Sequence, residues 1–153
     1  MNSGKLLILV ILAIALTAAT VAWRHQANRG QRVLQLWGSQ NAFLIRRAPS
    51  VQLTSQGRQL DITAAAGISH ARQALIVDAS YDWTANGNPS AAPNWSHEIT
   101  FSDVEQGFTL KFDLEQRLAE SGSGVQVRLG ETVADGLKVF LAEQMQHDDK
   151  RVP

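Results

Sequence analysis

The sequence predicts an α+β chain: an N-terminal transmembrane helix followed by a small antiparallel sheet packed with about three helices. Three observations point there. Residues 6–23 form an apolar run with only Thr17 and Thr20 as polar members. Ile99 and Phe101, then Phe108, Leu110, Phe112 and Leu114, alternate with other residues at the period of a strand that buries one face. The strand-like segments also cluster in hairpins and do not alternate singly with helices, which favours an antiparallel sheet with helices on one face.

The apolar run comes first in order. Its 18 residues, at about 1.5 Å each, reach roughly 27 Å as a helix, close to a hydrocarbon core of about 30 Å. Lys5 and Arg24 bracket it, and Trp23 stands where an interfacial aromatic would stand. The run is longer than the apolar core of an ordinary secretory signal, so an uncleaved single-pass anchor is preferred over a cleaved leader. Lys5, Trp23, Arg24, Arg29 and Arg32 are the candidate membrane-interface residues, and the lipid bilayer is the predicted partner. The arginines after the run favour a cytoplasmic main domain, a short N-terminal tail favours export, and the side stays open. Residues 1–23 are read as the anchor, 24–32 as a basic stalk, 33–146 as the folded α+β domain and 147–153 as a solvated tail.

Within the domain, Leu34, Trp37, Asn41, Leu44, Ile45 and Ala48 recur at helical spacing. Gly38 weakens or splits that helix, Ser39 is placed to cap a second half, and Pro49 ends it. Val51 and Leu53, then Leu60 and Ile62, predict a hairpin around Gly57. Ile68 to about Asp78 reads as a helix passing into an extended piece at Tyr81 to Trp83. Residues 84–97 are rich in turn formers and form a surface loop. The strands from Ile99 and Phe108 join through a turn at 103–107. Ser121 to Gly124 reads as a flexible connector to a strand at Val125, Val127 and Leu129. Thr132 with Asp135 resembles a capping box, ahead of an apolar face of Val133, Leu137, Phe140, Leu141 and Met145.

Charge narrows the function. The chain holds 14 basic and 14 acidic residues, four His and no Cys. The absence of cysteine excludes a disulfide framework, a thiolate metal site and a thiol nucleophile. Every acid lies at or beyond Asp61, so residues 1–60 carry only positive charge and the remainder is net acidic. An acidic domain is a poor fit to nucleic acid, whose partners carry a basic excess.

No intact catalytic motif occurs. Gly67-Ile68-Ser69-His70-Ala71 approaches a nucleophile elbow but lacks its last glycine and a preceding buried strand. Asp78, Ser80 and Asp82 open like a calcium loop, yet Trp83 and Pro89 occupy the positions of its glycine and its bidentate Glu. No histidine pair has the spacing of a zinc helix, and phosphate loops are absent. No cofactor and no metal are expected. Trp95 in the polar loop is a candidate contact residue. The preferred reading is a single-pass membrane-anchored domain with a non-enzymatic binding or accessory role, contacting a membrane or envelope protein. A small-ligand or lipid-binding module is the alternative, and a tethered hydrolase using Ser69 and His70, with Asp78, ranks behind both.

Overall fold

In the computed structural model, Thr17, residues 30–84 and residues 91–149 are described. They form α1 (Gln31–Trp37), α2 (Ser39–Arg47), β1 (Ser50–Ser55), β2 (Arg58–Asp61), α3 (Ile68–Leu75), a single 3-10 turn (Asp78–Ser80), β3 (His97–Ser102), β4 (Gly107–Asp113), β5 (Leu118–Ser121), β6 (Gln126–Arg128) and α4 (Glu131–Asp149). The fold is therefore α+β with an antiparallel sheet, as the hairpin pattern implies. The expected membrane-spanning first element is corrected: among the described residues no helix is long and apolar enough to cross a membrane. The apolar run itself, with Lys5, Trp23, Arg24 and Arg29, lies outside the described residues.

The sheet has six strands in the order β2-β1-β3-β4-β5-β6, every pair antiparallel. Its register stacks side chains in rows. Val51, Phe101 and Phe108 make one row, and Leu53, Ile99 and Leu110 the next. Ser55, His97, Phe112 and Ala119 make a third. These rows share one face and join Val33, Trp37, Leu44, Ile45, Leu75, Leu137 and Leu141 from the helices in a single core. The opposite face carries Gln52, Thr54, Glu98, Thr100, Thr109, Lys111 and Glu120. Alternation at period two is what allows one sheet to be oily on one side and wet on the other.

Gly38, with φ of 82°, ends α1 and precedes α2, the split that a glycine at this position allows, and the described helices number four. Three local readings change. No side-chain cap is made at the start of α2, so Ser39 does not fill that role. Ser121 to Gly124 is the tight turn of the β5–β6 hairpin, with Gly124 N–H bonded to the Ser121 carbonyl, and is no flexible connector. At α4 the Gly130 carbonyl accepts from Val133 and Ala134 N–H, Thr132 is already helical, and the helix runs on to Asp149 into the supposed tail.

The connection ahead of β3 is pinned by Asp113. Its carboxylate accepts from the N–H groups of Asn94, Glu115 and Gln116 and from Gln116 Nε2. Burial acts to raise the Asp113 carboxyl, but these donors outweigh it and hold the group below the ordinary carboxylate range. A depressed folded-state pKa contributes stability above the unfolded value of about 4, lost as pH falls through the folded value. Asp113→Asn is thus expected to lose about 1.5–3 kcal/mol at pH 7. Its stability should fall less steeply than the native chain's below about pH 4, with Asp61 and Asp103, also held low by hydrogen bonds, keeping a residual slope. Urea unfolding at stepped pH reads both quantities.

Candidate functional site

Two hollows lie along α4. The first, of about 390 Å³, runs between α3 and α4 and is lined by Gly67, His70, Ala71, Ala74, Gly136 and Phe140, among others. The second, of about 920 Å³, continues past Ala66 and Glu143, which line both, to Asp61, Thr63, His147 and Asp148. The first is apolar with small side chains at its base and the exposed Val139 at its rim. The second is mixed, with Leu60 and Ile62 beside the acids Asp61, Glu143 and Asp148, and the Asp61 carboxyl is held low by hydrogen bonds from the Thr63 hydroxyl and N–H.

The walls of the apolar groove are fixed from both ends. At one end Gly67 starts α3 with φ of 88°, a left-handed conformation that favours glycine. A Cβ there would come within 3.3 Å of Phe140 Cδ2, so α3 and α4 approach as closely as a missing side chain permits. At the other end, the Tyr81 hydroxyl donates to the Leu75 carbonyl at 2.6 Å and accepts from Trp37 Nε1 at 3.1 Å. Tyr81 also bridges to Leu129, and Gly130 N–H bonds the Ser80 carbonyl at 2.8 Å, immediately before α4. Burial pushes the Tyr81 phenol well above its ordinary pKa, so it remains a neutral donor.

Gly136 is the informative residue of this site. It stands inside a 19-residue helix, where glycine costs about 1 kcal/mol relative to alanine. No left-handed φ requires it, and a Cβ would meet no atom within 4 Å. Packing and backbone geometry thus leave Gly136 unexplained. It lines the groove, and a side chain there would project into open space.

The residues singled out from sequence are placed as follows. Ser69 and His70 are exposed in the first turn of α3. Neighbours on a helix do not face each other, and among the described residues no hydrogen bond joins either to a carboxylate. Asp78 is engaged elsewhere: its carboxylate accepts from Val33 N–H at 2.9 Å and Arg32 N–H at 3.4 Å, capping α1. The structure therefore does not bring Ser69, His70 and Asp78 together as a catalytic set. Arg32 is exposed, with its guanidinium 5.8 Å from the Trp83 ring centroid. Trp95 is half-buried in the irregular stretch before β3. Trp37 and Trp83 flank Tyr81 at centroid distances of 6.1 and 5.5 Å, Trp37 within the core and Trp83 half-buried against it.

Sequence reasoning missed one pair with chemical potential. Ser55 Oγ and His97 Nδ1 lie 2.8 Å apart, on directly opposed positions of β1 and β3. Burial lowers the His97 pKa, so the ring is held neutral. Ser55 is 1% exposed, and the bond fastens β1 to β3. Both residues continue the inward alternation of their strands, the signal that would have joined them. Among the described residues no group of three or more His, Asp and Glu comes together to hold a metal. No protein-family model, curated protein or solved structure matches the chain.

Gly136 carries a stability test. Gly136→Ala is expected to raise unfolding free energy by about 0.5–1 kcal/mol, measured by the shift of the urea midpoint at unchanged m-value. A destabilised Gly136→Ala would show that the position is constrained by packing after all.

Proposed function

We propose that this chain is a non-enzymatic binding domain held at a membrane by its apolar segment 6–23, and that it receives an apolar part of a partner protein in the groove between α3 and α4. The observation that carries the reading is Gly136: a helix-weakening residue in the interior of α4 that lines an apolar surface groove and leaves open space where a side chain would stand. Exposed apolar concavities of this kind mark binding sites. Of the flanking acids Asp148 is paired with Arg58, and Asp61 and Glu143 favour a partner with basic residues beyond its apolar anchor. Membrane tethering is supported by the length and apolarity of residues 6–23 and by the positive charge around them.

A second reading, binding of a lipid chain or other small apolar ligand, is favoured by one feature. The groove's volume of about 390 Å³ lies within the range of roughly 300–1,000 Å³ typical of small-molecule sites. It differs from the cavity a ligand carrier would need between sheet and helices, where Phe101, Phe112, Leu53 and Ile99 are 0% exposed.

The test uses the absence of native cysteine. In the full chain expressed in cells, Val139→Cys carrying a benzophenone places a photocrosslinker at the groove rim. The expected result is a discrete protein adduct in the carbonate-resistant membrane fraction that disappears when Gly136→Leu fills the groove. A chain fully extracted by carbonate would overturn the tether. Adducts unchanged by Gly136→Leu would overturn the groove, and an adduct of lipid mass would establish the second reading.

A further inference from the structure

We propose that the outer face of α2 rests on the surface of an anionic bilayer, with Phe43 entering the headgroup layer and Arg46 and Arg47 against lipid phosphates and carboxylates. The inference rests on the tethered reading above and adds how the domain is oriented. It starts from a division along α2. Ala42, Leu44 and Ile45 face the core, while Gln40, Phe43, Arg46 and Arg47 are exposed. Phe43 is 58% exposed, a large aromatic that the fold leaves in water. Positions 43, 46 and 47 are i, i+3 and i+4 and therefore share one side of the helix. Neither arginine forms an ion pair among the described residues. Their place in the last turn suits the helix dipole, but that accounts for the cations alone and not for Phe43.

Charge complementarity selects the occupant. Residues 30–60 carry Arg32, Arg46, Arg47 and Arg58 and no acid, whereas α4 carries Glu131, Asp135, Glu143, Asp148 and Asp149 against Lys138; Arg58 and Asp148 are paired with each other, so Arg32, Arg46 and Arg47 are the cations that count for the first group. An anionic surface attracts the first group and repels the second. At the Gln40 end of α2, Gln40 bonds Gln106 in the β3–β4 turn, which contributes the fully projecting Val104 together with Asp103 and Glu105. Those two acids offset part of the charge there, so the basic edge of the face is its Arg46–Arg47 end.

Chain length brings this face to the bilayer. Residues 24–29 separate the apolar run from Gly30 and span at most about 21 Å when fully extended. Gly30 opens α1, and α2 follows α1 after Gly38 alone. A tethered domain therefore presents α1 and α2 near the membrane. An aromatic flanked by arginines on such a helix is the composition of an interfacial surface.

The experiment uses the full chain with Ser39→Cys, an exposed position one turn before Phe43 whose hydroxyl makes no cap bond. The cysteine carries an environment-sensitive fluorophore, and Gln146→Cys, exposed on α4, is labelled as the reference. Each chain is reconstituted into vesicles of phosphatidylcholine with or without phosphatidylserine, containing a nitroxide lipid. Quenching is expected at residue 39 and not at 146, in the phosphatidylserine vesicles, with loss at high salt. Arg46→Glu with Arg47→Glu should lower the docked-to-undocked ratio by roughly 30-fold or more, from about fivefold per arginine lost. Phe43→Ser should also reduce it. A chain that floats with the vesicles but quenches equally at both positions, or at neither, overturns this inference and leaves the tether standing. A chain that does not float overturns both. Shielding of residue 39 in detergent without vesicles would assign the face to a second copy and likewise overturn it.

Discussion

The Tyr81 hydroxyl is the interaction on which the arrangement of helices depends. It accepts from Trp37 Nε1 and donates to the Leu75 carbonyl, so one buried oxygen ties the end of α1 to the end of α3. Its backbone bridges Leu129, at the point where the chain leaves β6 for α4. Two helices and the β6–α4 connection thus meet at one residue. Buried hydrogen bonds add little net stability when made and cost more when left unmade, so their main effect is to select one packing among many. Arg72 repeats the device nearby, its guanidinium donating to the Ala48 carbonyl at the end of α2 while lying 5.9 Å from the Phe101 ring centroid. Together they hold α3 over the core with its other side free to wall a groove.

The groove and the α2 face divide the surface by chemistry. The groove is apolar along its α3 wall and acidic toward the end of α4. The α2 face is aromatic and basic. A domain lying on α2 keeps its acidic helix away from an anionic surface, where repulsion would otherwise oppose docking. The zero net charge of the chain conceals this polarity, because residues 1–60 carry positive charge alone while every acid lies at or beyond Asp61. Gly136 fits the same account: a site that weakens its own helix is where local stability and function diverge.

Much of the fold was legible in the sequence. The strands from Val51 to Phe112 alternate cleanly because one face is buried and the other is wet, and that contrast is what period-two reading detects. β5 escaped notice because Leu118, Ala119 and Ser121 are all buried, so the strand shows no alternation. Leu118 lies on the far face from Ala119, next to the connection that Asp113 pins. The split at Gly38 and the extended Tyr81 were visible as a helix breaker and a change of period. The candidate site was not legible, since its walls lie some sixty residues apart and come together only through the tertiary packing of α3 on α4. The Ser69–His70 pair drew attention by a partial motif, yet motif spacing carries no information about the missing carboxylate, which the fold commits to α1.

The most direct test of this account is amide hydrogen exchange on the full chain with Tyr81→Phe, which removes one oxygen and leaves the ring and its packing. If Tyr81 sets the position of the groove walls, protection should fall over residues 72–77 and over the first turns of α4, by roughly 5- to 150-fold for the 1–3 kcal/mol of an unmade buried bond. The sheet rows at Leu53, Ile99 and Leu110 should keep their protection. Loss confined to residues 78–83, with α3 and α4 unchanged, would contradict the claim that this hydroxyl organises the site.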